Sequence, residues 1–209
     1  VSAAVGARDA EVIVATAMML ASAESLAEDK TLRDRRKDND VSAMLHTGYP
    51  VRYWDHDLGP DQPHLLDTDG PTDLTPHPGA ALRETALDLS ADGEFLVTSW
   101  HVRGPGAAIR STLVRIDRAT GTVTTVAEEP DAELEHPAIA PDGGTVAFTR
   151  ETHSTSTAAP RITLCCMRFG EDPVELTADW DRWPTTVAWA ADSSALIVTA
   201  DEAGRRPIF

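Results

Sequence analysis

One stretch constrains the fold more than any other. Residues 137–150 read PAIAPDGGTVAFTR, two short alternating runs joined by Asp142-Gly143. Strand-like runs joined by an Asp-Gly pair are a strong local hairpin signal, because Asp and Gly tolerate the positive φ that a tight turn needs. The stretch recurs as LDLSADGEFLVTSW at 87–100 and as VAWAADSSALIVTA at 187–200. The turn aspartates are Asp92, Asp142 and Asp192, a spacing of 50 residues twice over. Their carboxylates can accept backbone N–H groups, so a structural role explains them.

Self-similarity at this period marks a solenoid, a propeller or an array. The repeating units are made of strands, which favours a β-propeller built of four-stranded antiparallel blades. The fold class read from the sequence is therefore all-β, with blades at roughly 1–78, 79–130, 131–180 and 181–209.

In the first blade, Glu11–Ala17 reads as a strand. Ser22–Asp38 reads as a helical excursion with Ser22 or Ser25 as N-cap. Val41–Thr47 returns to a strand pattern, and His64–Asp67 and Pro71–Thr75 form a hairpin. The second blade has strands at Glu84–Ser90, Glu94–Trp100, Thr112–Asp117 and Thr122–Ala127. The third has Glu135–Ala140, Thr145–Arg150, Arg161–Arg168 and Pro173–Ala178, and the fourth Thr185–Ala190 and Ala195–Ala200. This gives two complete blades and two partial ones. A closed propeller needs about four to eight blades, and open arcs leave unpaired edges. The chain starts at Val1 rather than Met, and Arg206–Phe209 reads as the start of a new strand. Both ends therefore read as cut, with further blades expected in the same polypeptide.

Composition narrows the partners. With 209 residues, 42% of them hydrophobic, the chain can build a core. A net charge of −16 argues against nucleic acid. The apolar run Val12–Leu20 is short for a membrane span and has no positive flank, so it reads as a buried strand, not a leader or an anchor. Cys165 and Cys166 are neighbours that point to opposite strand faces, and they read as free thiols in a reducing cytoplasm. No Cys or His pair has metal-ligand spacing, and no cofactor is expected. Asp67-Thr68-Asp69-Gly70 opens like a calcium loop, but position twelve is Pro78, so it is a turn. Gly104-Pro105-Gly106 lacks the third glycine of a dinucleotide fingerprint. Trp100, Trp180, Trp183 and Trp189 read as packing between blades.

The segment Gly48–Pro60, GYPVRYWDHDLGP, is the most unusual. Asp55-His56-Asp57 lacks a nucleophile, and adjacent residues on a strand cannot face one another. The candidate substrate-binding residues are Arg52, Tyr53 and Trp54. An arginine facing the central cavity could pair with a carboxylate, and an aromatic could stack on a side chain. The packing alternative has Asp55 and Asp57 capping a turn with Trp54 beneath it.

These residues carry a resemblance. HPAIAPDGGTVAFTR is similar to the repeats of TolB-like and prolyl-oligopeptidase-type propellers, and HLLDTDG with PTDLT resembles their outer strands. The segment from Arg33 through VSAMLHTGYPVRYWDHDLGP resembles a blade insertion of acylaminoacyl-peptidase-like serine peptidases, above all the actinobacterial branch. The resemblance covers nearly the whole chain. It implies a two-domain enzyme, in which a propeller screens short or N-acylated peptides for an α/β-hydrolase domain carrying Ser, His and Asp. That domain is not in this chain: no serine sits in a G-x-S-x-G elbow, so no catalytic residue is assigned here. The expected partners are the remainder of the same polypeptide and a peptide substrate, with self-association into a homo-oligomer left open. The alternative is a non-catalytic TolB-like propeller that binds a protein.

Overall fold

The computed structural model describes residues 3–46, 48–70 and 72–209. Its first sheet is formed by β1 (Ala3–Gly6), β2 (Ile13–Leu20), β3 (Asp61–Asp67) and β4 (Thr72–Asp73), with helix α1 (Leu26–Asp38) between β2 and β3. The second contains β5 (Leu87–Leu89), β6 (Phe95–Arg103), β7 (Ile109–Asp117) and β8 (Val123–Ala127). The third contains β9 (Ala132–Ile139), β10 (Thr145–Thr152), β11 (Arg161–Arg168) and β12 (Val174–Glu175), and the fourth β13 (Pro184–Trp189) and β14 (Leu196–Ala200). Every pairing is antiparallel between chain neighbours. This is the meander of propeller blades, and the all-β expectation of a partial propeller holds.

Three differences from the sequence reading stand out. First, β1 supplies a fourth strand to the first sheet, so three sheets among the described residues are four-stranded rather than two. Its sequence, AAVG, is too short and small to announce itself. Second, residues 41–46 of the expected strand Val41–Thr47 are irregular and exposed, and Thr47 lies outside the described residues. β2 already pairs with β3 on that side, which leaves no free edge for another strand. Third, the expected partner strand of β3 is shorter, at Thr72–Asp73, with Pro71 outside the described residues. Near Phe209 the expectation of a new strand fits the hydrogen bonding. Phe209 N–H donates to the Val198 carbonyl at 2.8 Å, and Val198 N–H to the Phe209 carbonyl at 3.0 Å.

The three repeated turns share one geometry. Gly93, Gly143 and Ser193 take φ of 74°, 70° and 61°. Their N–H groups donate back to the carbonyls of Ser90, Ala140 and Ala190. One Oδ1 of each aspartate accepts an N–H two residues on, from Glu94, Gly144 or Ser194. The aspartate is selected for its carboxylate, and the following residue carries the positive φ.

The sheets stack face to face, so their middle strands are covered on both sides. Phe95, Val97 and Leu113 pack against Leu134, Phe148 and Met167 across the second seam. There the Arg115 guanidinium lies 3.7 Å from the centre of the Phe95 ring. Val14, Leu65 and Leu74 meet Leu96, Val114 and Ile116 across the first seam, with Trp100 at its margin. Val198 meets Ala147 and Leu164 across the third, joined by Trp180 and Trp189, whereas Trp183 stays half exposed. Bonds between residues 51 apart stitch neighbouring sheets: Ile139 N–H to Asp88, Trp189 Nε1 to the Ala138 carbonyl, and Arg118 to Asp67. The repeat period thus reappears as the register of one blade on the next. Cys165 and Cys166 face opposite sides of β11, both as free thiols.

Candidate functional site

The site is built by the excursion between β2 and β3. Ser25 caps α1, its Oγ accepting the Glu28 N–H at 3.2 Å. The buried carboxylate of Asp29 accepts the Leu20 N–H at 2.8 Å and pairs with Arg33 at 2.7 Å. Arg33 also reaches Asp61 at 2.9 Å and the Met18 carbonyl at 3.2 Å. One charged network thus fastens α1 to the ends of β2 and β3. The hydrogen bond from Asp29 holds the Arg33 pKa above its ordinary value, although burial opposes this. Leu32 adds an apolar contact to Ala17, Met19 and Leu66.

After α1 the chain returns through a small hairpin. Leu58 N–H donates to the Val51 carbonyl at 3.0 Å, and Tyr53 N–H to the His56 carbonyl at 2.9 Å. Leu58 is buried and anchors the base. Arg52 and Asp57 pair across the hairpin at 3.5 Å, both largely exposed. His56 Nδ1 lies 2.7 Å from the Asp55 carboxylate. Trp54 stands at the tip, 94% exposed, so it does not pack beneath the turn.

Of the three candidate residues, Tyr53 turns toward the body of the protein. Its ring is half-buried and meets the His56 imidazole edge-on at 5.6 Å. Burial pushes its phenol pKa up, Glu84 adds to this, and Arg83 opposes it. Tyr53 forms a wall of two cavities. One, of about 360 Å³, is lined by Tyr53, Trp100, Val102, Arg103 and Ile109. The other, of about 310 Å³, is lined by Tyr53, His56, Leu58, Arg83 and Glu84. A third, of about 260 Å³, lies beneath the insertion and is lined by His46, Gly48, Asp61, Arg83 and Arg103. Neither Arg52 nor Trp54 lines these cavities.

Arg83, Trp100 and Arg103 are the residues that sequence reasoning missed. Trp100 reads as packing, which it also provides. Arg83 and Arg103 stand 30 and 50 residues beyond Tyr53 in the sequence, and nothing local links them to it. Arg103 ends β6, three residues beyond Trp100, where the sequence pattern closes the strand, and no local signal marks that extension.

His64, on the strand expected at His64–Asp67, serves the first sheet. It is buried, with Nδ1 2.8 Å from Asp73. Burial raises the Asp73 pKa, but His64 and the Thr75 N–H outweigh it and hold the carboxyl below its ordinary value.

The sheet order and its seams define the class of the protein, an arc of β-propeller blades with a cavity-forming insertion in the first. No family model matches the chain, and no curated protein matches it. Among solved structures it is similar to TolB from Acinetobacter baumannii, at TM-score 0.49 and 19% identity, over 71% of this chain and 34% of that one. A prolyl endopeptidase is similar at TM-score 0.45 and 14% identity, over 71% of this chain and 25% of that one. The acylaminoacyl peptidase of Pyrococcus horikoshii is similar at TM-score 0.39 and 16% identity, over 58% of this chain and 19% of that one. The chain thus matches about a third of TolB's length and less of either peptidase.

Proposed function

We propose that this chain is the propeller part of a cytoplasmic serine peptidase that hydrolyses short or N-acylated peptides. It gates and positions substrate for a Ser-His-Asp hydrolase domain elsewhere in the same polypeptide. One observation supports this reading above the others. The segment GYPVRYWDHDLGP, on which the family resemblance rests, folds as a hairpin whose Tyr53 walls two cavities against the second sheet.

In such an enzyme a serine attacks the scissile carbonyl with histidine as base, and backbone donors stabilise the oxyanion. This chain's part is to exclude folded proteins and to orient a short peptide. An apolar pocket with a few polar groups suits that task.

The test is to express the complete reading frame and treat the product with a fluorophosphonate probe. The expected result is one labelled serine, with cleavage of N-acetyl-leucine p-nitroanilide but not of folded proteins. A full-length product with neither labelling nor cleavage overturns the peptidase reading. A reading frame that ends in more repeats, with no nucleophile elbow, favours the non-catalytic, protein-binding propeller.

A further inference from the structure

We propose that the cavities beneath the insertion form a binding site for a small carboxylate with an adjoining apolar group, such as an N-acyl amino acid. The chain carries a net −16, yet two guanidinium groups, Arg83 and Arg103, line one cavity of about 260 Å³. A single acidic side chain, Asp61, shares that cavity, and Arg33 already pairs with it at 2.9 Å. Arg83 donates one Nη2–H to the Asp61 carbonyl and has no carboxylate partner among the described residues. The Arg103 backbone pairs with Ile109 at the end of the β6–β7 ladder, and its guanidinium has neither a hydrogen bond nor an ion pair among the described residues. Arginine forks match carboxylate geometry, so two unneutralised ones facing a concave space are an anion site.

The Arg103 guanidinium lies against a glycine. A Cβ on Gly48 would sit 2.7 Å from Arg103 Nη1 and 3.4 Å from Nη2. Gly48 therefore leaves room for the guanidinium beside the insertion backbone, and a side chain there would push the end of Arg103 aside. The site is thus built jointly by the insertion and by the end of β6.

The apolar half follows from the neighbouring cavity of about 360 Å³. It shares Pro50, Gly79, Ala80 and Arg103 with the cationic one, and adds Trp100, Val102 and Ile109. Its lining holds no acidic side chain among the described residues. A ligand whose carboxylate meets Arg103 would place a neighbouring apolar side chain against Trp100. The ligand class rests on the peptidase reading, since such enzymes release or bind short acylated fragments.

The test is calorimetric titration of the full-length protein with N-acetyl-L-leucine, N-acetyl-L-leucinamide and inorganic phosphate. The expected result is that the acid binds at least tenfold more tightly than the amide and than phosphate. Arg103→Met, on an exposed side chain, should erase the preference for the acid without changing the melting temperature. Gly48→Ala should weaken acid binding severalfold by moving the guanidinium. Equal binding of acid and amide, phosphate binding as tightly as the acid, or an unchanged Arg103→Met protein would each overturn the site. The two proposals fail separately. A labelled serine with equal binding of acid and amide removes only the carboxylate site. Acid-selective binding without a labelled serine removes only the peptidase reading.

Discussion

The seam between the second and third sheets and the insertion of the first sheet are held by different forces. At the seam Phe95, Leu134, Phe148 and Met167 are buried, and Arg115 stacks on an aromatic ring rather than on a carboxylate. In the insertion Leu45 and Trp54 keep most of their surface, and Tyr49 keeps about half. There Asp29, Arg33 and Asp61, with main-chain hydrogen bonds, do the fastening. Burial is non-directional and accumulates over a whole face, so it suits a repeated architecture. Charged hydrogen bonds are directional, so they suit a single segment that must present Tyr53 and Gly48 to a cavity.

Truncating one large side chain in each region separates the two kinds of fastening. Phe148→Ala should cost about 3–5 kcal/mol, because a fully buried ring leaves a cavity. Trp54→Ala should stay within about 0.5 kcal/mol, as exposed substitutions do. Urea unfolding followed by circular dichroism measures both, and equal losses would show that the insertion is packed as tightly as the seam.

Next comes Asp29→Ala. It strands the Leu20 N–H and leaves Arg33 with only Asp61 and the Met18 carbonyl, at a cost of about 1–3 kcal/mol. Amide exchange should quicken in α1 and the hairpin while β10 and β11 keep their protection. Uniform acceleration across the chain would mean that the network supports the whole arc.

The repeated turns offer a finer comparison. Gly93→Ala meets both a positive φ and the Val12 side chain at 2.9 Å, whereas Gly143→Ala meets open space. The first should cost about 1–3 kcal/mol and the second about 1 kcal/mol, from backbone strain alone. Ser193 already tolerates φ of 61° and uses its Oγ to accept the Asp142 N–H of the neighbouring turn. Equal melting temperatures for the two glycine variants would refute the contact with Val12.

Two aspartates should respond to pH in opposite directions. Asp73 has a folded pKa below 3.8, so its stabilisation is complete above that value and is lost as pH falls through the folded one. Burial pushes the Asp88 pKa above 3.8, despite N–H groups from Ile139 and Leu89. The native state then holds that proton more tightly than the unfolded chain, so this contribution declines as pH rises from 3.8 through the folded value. Asp88→Asn should flatten that decline, and Asp73→Asn should flatten the acid limb. Melting temperatures between pH 3 and pH 7 test both signs.

The smallest effect concerns the thiols. Burial pushes the Cys165 pKa up to about 11, and burial also raises that of the less buried Cys166. Ellman's reagent at pH 8 should label Cys166 slowly and leave Cys165 intact until denaturant is added, as mass mapping would show. Prompt labelling of Cys165 would mean that the third sheet opens locally.

Features that lie within a few residues of their cause were legible in the chain's own pattern. The turns at Asp92, Asp142 and Asp192 follow from a carboxylate and a residue of positive φ one position on. A capping serine starts α1, with Ser22 and Ser25 both on offer and Ser25 used, and the opposed faces of Cys165 and Cys166 follow from strand alternation. The 50-residue period carried the propeller class, because a repeated hairpin must stack on its copies to bury both faces. Tertiary structure decided the rest. β1 became a strand only because β2 offered it an edge, while residues 41–46 stayed irregular because β3 had taken the other. Arg52, Tyr53 and Trp54 are adjacent in sequence, but only Tyr53 turns inward, since the hairpin is docked through Leu58 and pairs Arg52 with Asp57. Arg103 reaches Gly48 only because the first and second sheets pack face to face. No pattern in either segment encodes that meeting, for it depends on a distance set by every buried residue between the two sheets.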